Sequence, residues 1–175
     1  MMNSIKNVMV FVLFAFFISF FSAGPSLADS QERTKEFTLF YTGNTLGYLD
    51  PCKAWGGKES GGIARRVRWI RDNAQDDSNF LFLDAGNFLF RNEAAPSKAA
   101  IANAGLLLDF YHDMGYTALC VGKRDLAGST IFLLEETKKR GLRPLSSNLR
   151  YKGKAVFEPY GIFDVNGTKV GVLAV

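Results

Sequence analysis

The fold is decided by the stretch Phe80-Leu81-Phe82-Leu83-Asp84-Ala85-Gly86-Asn87. Its first four residues form a continuous apolar run, which is typical of a strand that is buried on both faces of a parallel sheet. The polar residues that follow without a break predict a loop that presents side chains to a ligand. The stretch therefore predicts a buried strand and, at its carboxyl end, a functional loop.

Further strands and helices alternate on either side of this stretch. Before it, Phe37, Leu39 and Tyr41 alternate with Thr38 and Phe40 and predict a strand, and residues 62–73 have helical spacing. After it, we expect a helix from Pro96 through Met114, a strand over 117–121, a helix over 131–139, a short strand over 144–149, and a hairpin that pairs 160–165 with 169–175 across Asn166-Gly167. This alternation predicts an α/β fold, with a mostly parallel sheet flanked by helices and a site at the carboxyl ends of its strands.

The amino-terminal residues have the features of a signal peptide. The run from Val8 to Phe21 is apolar apart from Ser19, and it is shorter than the roughly 20 residues that cross a bilayer as a helix. Small residues at Ser26 and Ala28 fit a cleavage site. We expect a signal peptide over 1–28, a polar lead-in over 29–36, and export to the periplasm or the exterior without a membrane anchor; the alternative is an uncleaved anchor.

The charge and the cysteines limit the class of protein. The formal charge of +4 is modest, and Lys and Arg are scattered among Asp and Glu, so no nucleic-acid partner is indicated. An exported chain with two cysteines, Cys52 and Cys120, allows one disulfide. The sequence does not decide whether the two cysteines lie within bridging range.

Six sequence blocks occur in an order that resembles a known family. The blocks are Phe40–Leu49, Gly61–Arg66, Leu83–Asn87, Met114–Asp125, Leu145–Asn148 and Val165–Val172. This ordered set resembles the calcineurin-like metallophosphoesterase superfamily, in its 5′-nucleotidase or UshA-like branch, from about Phe37 to Val175. The resemblance implies that residues 37–175 are the N-terminal part of a metallophosphoesterase-like sandwich, incomplete at its C-terminus, whose second half is missing.

The resemblance also implies which residues occupy the family's metal site. Family members hold two divalent metal ions through Asp-x-His, Gly-Asp and Asn-His motifs, and the last of these supplies a catalytic histidine. The corresponding positions here are Asn44, Leu46, Asn87, Lys123 and Arg124, with Arg124 in place of the catalytic histidine. Leu46 offers no lone pair and the two basic residues add positive charge, so we expect no metal cofactor and no catalytic residue of the family kind. The single histidine, His112, is expected at the surface.

The first functional hypothesis is a hydrolase by family that has lost hydrolysis and at most binds a phosphate or a nucleotide. The candidate substrate-binding residues are Asn44, Asn87, Lys123, Arg124 and Asp125. Two cations and two amides around the former metal pocket suit an anion. The structural alternative is an ion pair between Arg124 and Asp84 or Asp125.

Two other hypotheses keep the same scaffold. The loop Asp50-Pro51-Cys52-Lys53-Ala54-Trp55-Gly56-Gly57 places a candidate redox thiol, Cys52, near the site, but an inert or disulfide-bonded thiol is the preferred explanation for an exported protein. Some exported UshA-like proteins carry a cysteine or a selenocysteine in this loop, and the present loop is similar to theirs. The third hypothesis is an active, divergent phosphoesterase whose ligands are Asp50, Asp84 and Asp125, so the sequence leaves open whether the protein is an enzyme.

We predict that the 175-residue chain, expressed alone, is marginally stable or associates with itself. Residues 170–175 are apolar enough for a buried strand, and such a strand needs a neighbour that satisfies its backbone groups. Size measurement and thermal melting test this expectation. A monomer that unfolds cooperatively at roughly 45–65 °C would contradict it.

Overall fold

A parallel sheet forms the centre of the fold in the computed structural model, which describes residues 36–53, 57–74 and 79–175. Elements are numbered in chain order. Strand β1 (Thr38–Thr42) pairs with β4 (Phe80–Asp84), β4 pairs with β5 (Ala118–Cys120), and β5 pairs with β6 (Pro144–Leu145). All three pairings are parallel, so the α/β fold predicted from the sequence is confirmed. The predicted signal peptide lies outside the described residues.

Three helices connect the parallel strands. They are α1 (Ile63–Asn73), α2 (Lys98–Asp113) and α3 (Thr130–Lys139). Helix α2 begins two residues after Pro96 because Ser97 is its N-cap, with its side-chain oxygen accepting a hydrogen bond from the backbone N–H of Ala100. Ser129 caps α3 through the N–H of Phe132 in the same way. Within the described part of the chain, we find no helix whose length and apolarity would allow it to span a membrane.

The main core lies between the sheet and the helices. Helix α2 buries Ala104, Leu107, Leu108 and Tyr111. These residues lie on one face of the helix, because they follow one another at intervals of one, three or four residues. These side chains pack in one cluster with sheet residues that include Phe82 and Leu119. A smaller apolar cluster, made of Ala118, Leu145 and Ala174 with partly buried neighbours, forms separately. The continuous apolar run of β4 is therefore explained by burial.

The C-terminal hairpin forms as predicted and leaves one apolar face exposed. Strands β9 (Tyr160–Val165) and β10 (Thr168–Leu173) pair antiparallel across Asn166 and Gly167, whose positive φ angles of 51° and 71° suit the predicted turn. Residues 170–175 are apolar enough for a buried strand, yet Leu173 and Val175 are 65% and 79% exposed. The reason is that side chains alternate along the strand, so only one of its faces contacts the rest of the described structure.

Three small elements were not predicted. Two are short antiparallel ribbons, which pair β2 (Cys52–Lys53) with β3 (Glu59–Ser60) and β7 (Arg150–Tyr151) with β8 (Lys154–Ala155). The third is a 3₁₀ helix over Lys123–Leu126. Two-residue strands and single 3₁₀ turns have no hydrophobic period, so pattern reasoning does not detect them.

We predict that Leu107→Ala lowers the free energy of unfolding by about 2–5 kcal/mol, because the side chain is fully buried and its removal leaves a cavity. Leu106→Ala is the matched control, since this neighbouring leucine is 45% exposed. Its expected effect stays within about 0.5 kcal/mol. Urea unfolding of both variants measures the difference, and equal effects would show that the described core is wrong.

Candidate functional site

The loops that follow three neighbouring strands meet at one edge of the sheet. Asn44 follows β1, Asn87 follows β4, and Arg124 lies in the 3₁₀ helix that follows β5. The Asn87 side-chain amide donates from Nδ2 to Oδ1 of Asn44 at 3.2 Å, and its Oδ1 accepts the backbone N–H of Arg124 at 3.1 Å. Asn87 thus joins the three loops, and the convergence predicted from the sequence is confirmed.

The first two loops run side by side through backbone hydrogen bonds. The N–H groups of Asn44, Leu46 and Gly47 donate to the carbonyls of residues 86, 87 and 88 at 2.9, 2.9 and 2.7 Å. Asn44, Leu46 and Asn87 have positive φ angles of 52°, 54° and 55°. This left-handed conformation is uncommon for a leucine, and the surrounding hydrogen bonds maintain it. Backbone of this kind concentrates at functional sites.

The carboxylate of Asp125 ties the second loop to the third. Its Oδ2 accepts the backbone N–H groups of Asn87 and Gly122 at 2.8 and 2.9 Å, and its Oδ1 accepts that of Leu89 at 2.8 Å. The loops approach so closely that a Cβ atom on Gly122 would lie 2.5 Å from the Asn87 nitrogen. Asp125 is fully buried, so its role in the described structure is to position backbone.

Burial raises the pKa of Asp125 from its ordinary value of 3.8 to about 6. The three backbone N–H donors act in the opposite direction, and the nearby charge of Asp84 adds a smaller upward contribution. The group therefore titrates in a mildly acidic range rather than near pH 4.

Both carboxylate oxygens of Asp84, at the end of β4, also accept hydrogen bonds. Its Oδ1 accepts the N–H of Gly86 at 2.8 Å, and its Oδ2 accepts the hydroxyl groups of Thr42 at 2.6 Å and Tyr111 at 2.8 Å. The residue is 2% exposed. Its three bonds connect β1, β4 and α2.

A half-buried arginine, Arg66, donates hydrogen bonds that hold the first loop, and the sequence did not reveal this role. The Arg66 guanidinium donates to the hydroxyls of Tyr111, Tyr116 and Thr45 at 3.2, 3.3 and 3.2 Å. The two tyrosine rings stack with centroids 4.1 Å apart, and burial raises the pKa of both hydroxyls. The detectable signal was the position of Arg66 on the inward face of α1, beside Ile63 and Val67.

The two basic candidates have different surroundings. Lys123 is mostly exposed, and its Nζ pairs with Oε2 of Glu93 at 2.7 Å. The Arg124 side chain is half-buried, and within the described residues its guanidinium has no ion pair. The structural alternative, in which Arg124 pairs with Asp84 or Asp125, is wrong because other donors occupy the oxygens of both carboxylates.

The remaining candidates do not assemble into a site. Asp50 and Cys52 are exposed, and the described residues contain no group of three or more His, Cys, Asp or Glu placed to hold a metal ion. Cys52 and Cys120 are both free thiols, and burial raises the pKa of Cys120, which disfavours its reactive thiolate. His112 is exposed, as predicted.

Comparison with known proteins shows what this chain is similar to. No family model matches the sequence. The snake venom 5′-nucleotidase of Gloydius brevicauda is 27% identical, over 79% of this chain and 25% of its own length. The crystal structure of the 5′-nucleotidase precursor from Thermus thermophilus is 27% identical with a TM-score of 0.64, over 79% of this chain and 28% of that one. The calcineurin-like phosphoesterase YfkN from Bacillus subtilis is 20% identical with a TM-score of 0.54, over 78% and 46%.

The parallel sheet and its flanking helices match the metallophosphoesterase fold of the 5′-nucleotidases. Within that fold, the 5′-nucleotidases are the proteins that this chain resembles in sequence, as its ordered blocks predicted. The chain spans about a quarter of the length of the two 5′-nucleotidases that it matches.

We predict that Asp125 makes stability fall as the pH rises from about 4 to about 6. Its folded-state pKa of about 6 exceeds the ordinary 3.8, so its contribution is complete below pH 3.8 and is lost as the pH rises through 6. The full loss is about 3 kcal/mol. The Asp125→Asn variant has no titrating group at this position. The unfolding free energy of the wild-type protein minus that of the variant should therefore fall as the pH rises over this range.

Urea unfolding at several pH values measures this difference, and a difference that is flat or rises would refute the prediction. Carbon NMR of the Asp125 carboxyl is a second measurement that needs no variant. A titration midpoint near 4, rather than near 6, would also refute the prediction.

Proposed function

We propose that this chain is the N-terminal part of an exported 5′-nucleotidase-like protein that binds a phosphate group or a nucleotide without hydrolysing it. The observation that carries the proposal is the Arg124 guanidinium. It stands half-buried at the point where the loops converge, and within the described residues it has no carboxylate partner. A phosphate group supplies the missing negative charge and matches the planar donors of an arginine.

The residues at the metal positions do not fit two divalent cations. Such ions need lone pairs from oxygen, nitrogen or sulfur together with negative charge. Here Oδ1 of Asn44 already accepts from Asn87, Leu46 has no donor atom, and Lys123 and Arg124 are cationic. Both oxygens of Asp125 accept backbone N–H groups. Because metal-activated attack by water needs these ligands, the proposal assigns binding and no hydrolytic step to the site.

The proposed phosphate contacts come from side chains and not from metal ions. Arg124 supplies the first contact. Lys123 supplies a second after it leaves Glu93, because an exposed ion pair of this kind is worth at most about 1 kcal/mol. The Asn87 side chain holds the Asn44 loop and the Arg124 backbone in one arrangement, so the site is pre-formed.

Substrate class and location in this proposal rest on the relatives and on the amino-terminal residues. The nucleotide is proposed as the ligand because the relatives are named 5′-nucleotidases. Export, to the periplasm or the exterior, rests on the apolar run before Ala28 and the small residues that follow it. Placement in the UshA-like branch rests on the six ordered sequence blocks, and placement in its cysteine-containing subgroup rests on the loop that carries Cys52. No contact in the described structure favours the thiol-dependent alternative.

We predict that purified protein holds no stoichiometric zinc or manganese and shows no metal-stimulated hydrolysis of nucleoside monophosphates. Elemental analysis and a phosphate-release assay test both points. Two tightly held ions per chain would overturn the metal-free assignment.

The same protein should bind inorganic phosphate in calorimetry, and Arg124→Gln should weaken this binding about tenfold or more, because a hydrogen bond to a charged group is worth about 1.5–3 kcal/mol. Arg68→Gln is the matched control, since it removes the same charge from an exposed position of α1. Equal effects of the two substitutions would mean that the phosphate is attracted by net charge and not held at this site.

A further inference from the structure

Both polar atoms of the Asn87 side chain are hydrogen-bonded. Its Oδ1 accepts the backbone N–H of Arg124 at 3.1 Å, and its Nδ2 donates to Oδ1 of Asn44 at 3.2 Å. The residue is also held from other directions, because its own backbone N–H donates to Asp125 and a Cβ atom on Gly122 would lie 2.5 Å from its Oδ1. The Asn87 amide is therefore fixed in place between the first loop and the third.

The backbone of Arg124 decides which way round the Asn87 amide lies. A backbone N–H can only donate, so the atom of Asn87 that faces it must be the oxygen. If the amide were turned over, its NH₂ group would face another donor and its oxygen would face the oxygen of Asn44. The NH₂ group of Asn87 therefore faces Asn44.

The same constraint passes from Asn87 to Asn44. The NH₂ group of Asn87 can only donate, so Asn44 presents its Oδ1 to it. Asn44 is exposed, and among the described residues its own NH₂ group has no acceptor. A carboxylate at position 87, which the family has there, would offer no donor, and Asn44 would then turn its NH₂ group inward. The amide at position 87 thus leaves Asn44 with a free donor instead of a free oxygen.

The groups that remain free at this edge are donors and cations. The oxygens of Asn44, Asn87 and Asp125 all accept hydrogen bonds within the described structure. The NH₂ group of Asn44 is free, and the half-buried Arg124 guanidinium has no ion pair among the described residues. An edge that offers N–H donors next to a positive charge suits an anion and not a cation.

We propose that Asn87 is a positioning residue that turns the NH₂ group of Asn44 towards the ligand, and that this group is a third donor to the bound phosphate, after Arg124 and Lys123. The proposal rests on the phosphate site proposed above and identifies what selects an anion there. The hydrogen bonds that run from the Arg124 backbone through two side-chain amides join the loops at positions where the family has metal ligands. They also set the polarity of the site.

The first test is calorimetry of the full chain with inorganic phosphate. Asn44→Gly removes the proposed donor, and glycine accepts the positive φ of 52° at this position without strain. We expect phosphate binding to weaken about fivefold or more, which is the value of one hydrogen bond. Asn166→Gly is the matched control, since it makes the same change at an exposed residue with a φ of 51° in the hairpin turn, and it should leave phosphate binding unchanged.

The second test is NMR of the asparagine side-chain amides in the absence of phosphate. In Asn87→Asp, the new carboxylate still accepts the Arg124 N–H but cannot donate to Asn44. The Asn44 amide should therefore turn over, and one of its NH₂ protons should shift downfield and exchange more slowly with water. Asn73→Asp adds the same charge at an exposed position of α1 and should leave the Asn44 amide unchanged.

The outcomes separate this inference from the proposal on which it rests. If the wild-type protein binds phosphate and Asn44→Gly binds it as tightly as Asn166→Gly does, Asn44 is not a donor and the phosphate site stands without it. If the Asn44 amide is the same in Asn87→Asp as in the wild-type protein, Asn87 does not set its orientation and the positioning role is wrong. If the wild-type protein binds no phosphate, both the phosphate site and the inference are wrong.

Discussion

The site depends on one buried carboxylate. Asp125 accepts three backbone N–H groups from the two loops that follow β4 and β5, and it is fully buried. A buried carboxylate is tolerated only when its oxygens are hydrogen-bonded, so the loops and the carboxylate hold each other in place. Asn87 lies within this arrangement, and through its side chain the first loop joins it. The geometry of every candidate binding residue follows from this constraint.

A second hydrogen-bond network holds the first loop at the same edge of the parallel sheet. Asp84 accepts from Thr42 and Tyr111, and Arg66 reaches Tyr111 and Thr45 from α1. Arg66 has no directly bonded carboxylate among the described residues, and three hydroxyl groups accept its hydrogen bonds instead. Thr45 lies between two residues with positive φ, so these bonds hold the first loop where its backbone is least favourable. The two networks hold the loops at this edge by hydrogen bonds, while the Arg124 guanidinium has no ion pair among the described residues.

Pattern reasoning recovered the main strands and helices and placed the candidate residues together, but it failed where partners are distant in sequence. The ion pair that was the structural alternative for Arg124 is absent from the described structure, since Tyr111 and Leu89, among others, supply the donors that Asp84 and Asp125 use. Tyr111 lies 27 residues beyond Asp84, and no local pattern marks such a pairing. The exposure of Leu173 shows the same limit, because apolar composition shows that a strand can be buried and not whether another element covers it.

The sequence by itself determined the order of strands and helices, the convergence of Asn44, Asn87 and Arg124, and the resemblance to the 5′-nucleotidases, because hydrophobic period, turn residues and the parallel βαβ connection are local or topological properties. Only the tertiary structure decided which donors each carboxylate accepts, that Arg66 supports the first loop, and which way round the Asn87 and Asn44 amides lie. These features depend on distances between side chains that are far apart in the chain, and such distances are set by packing.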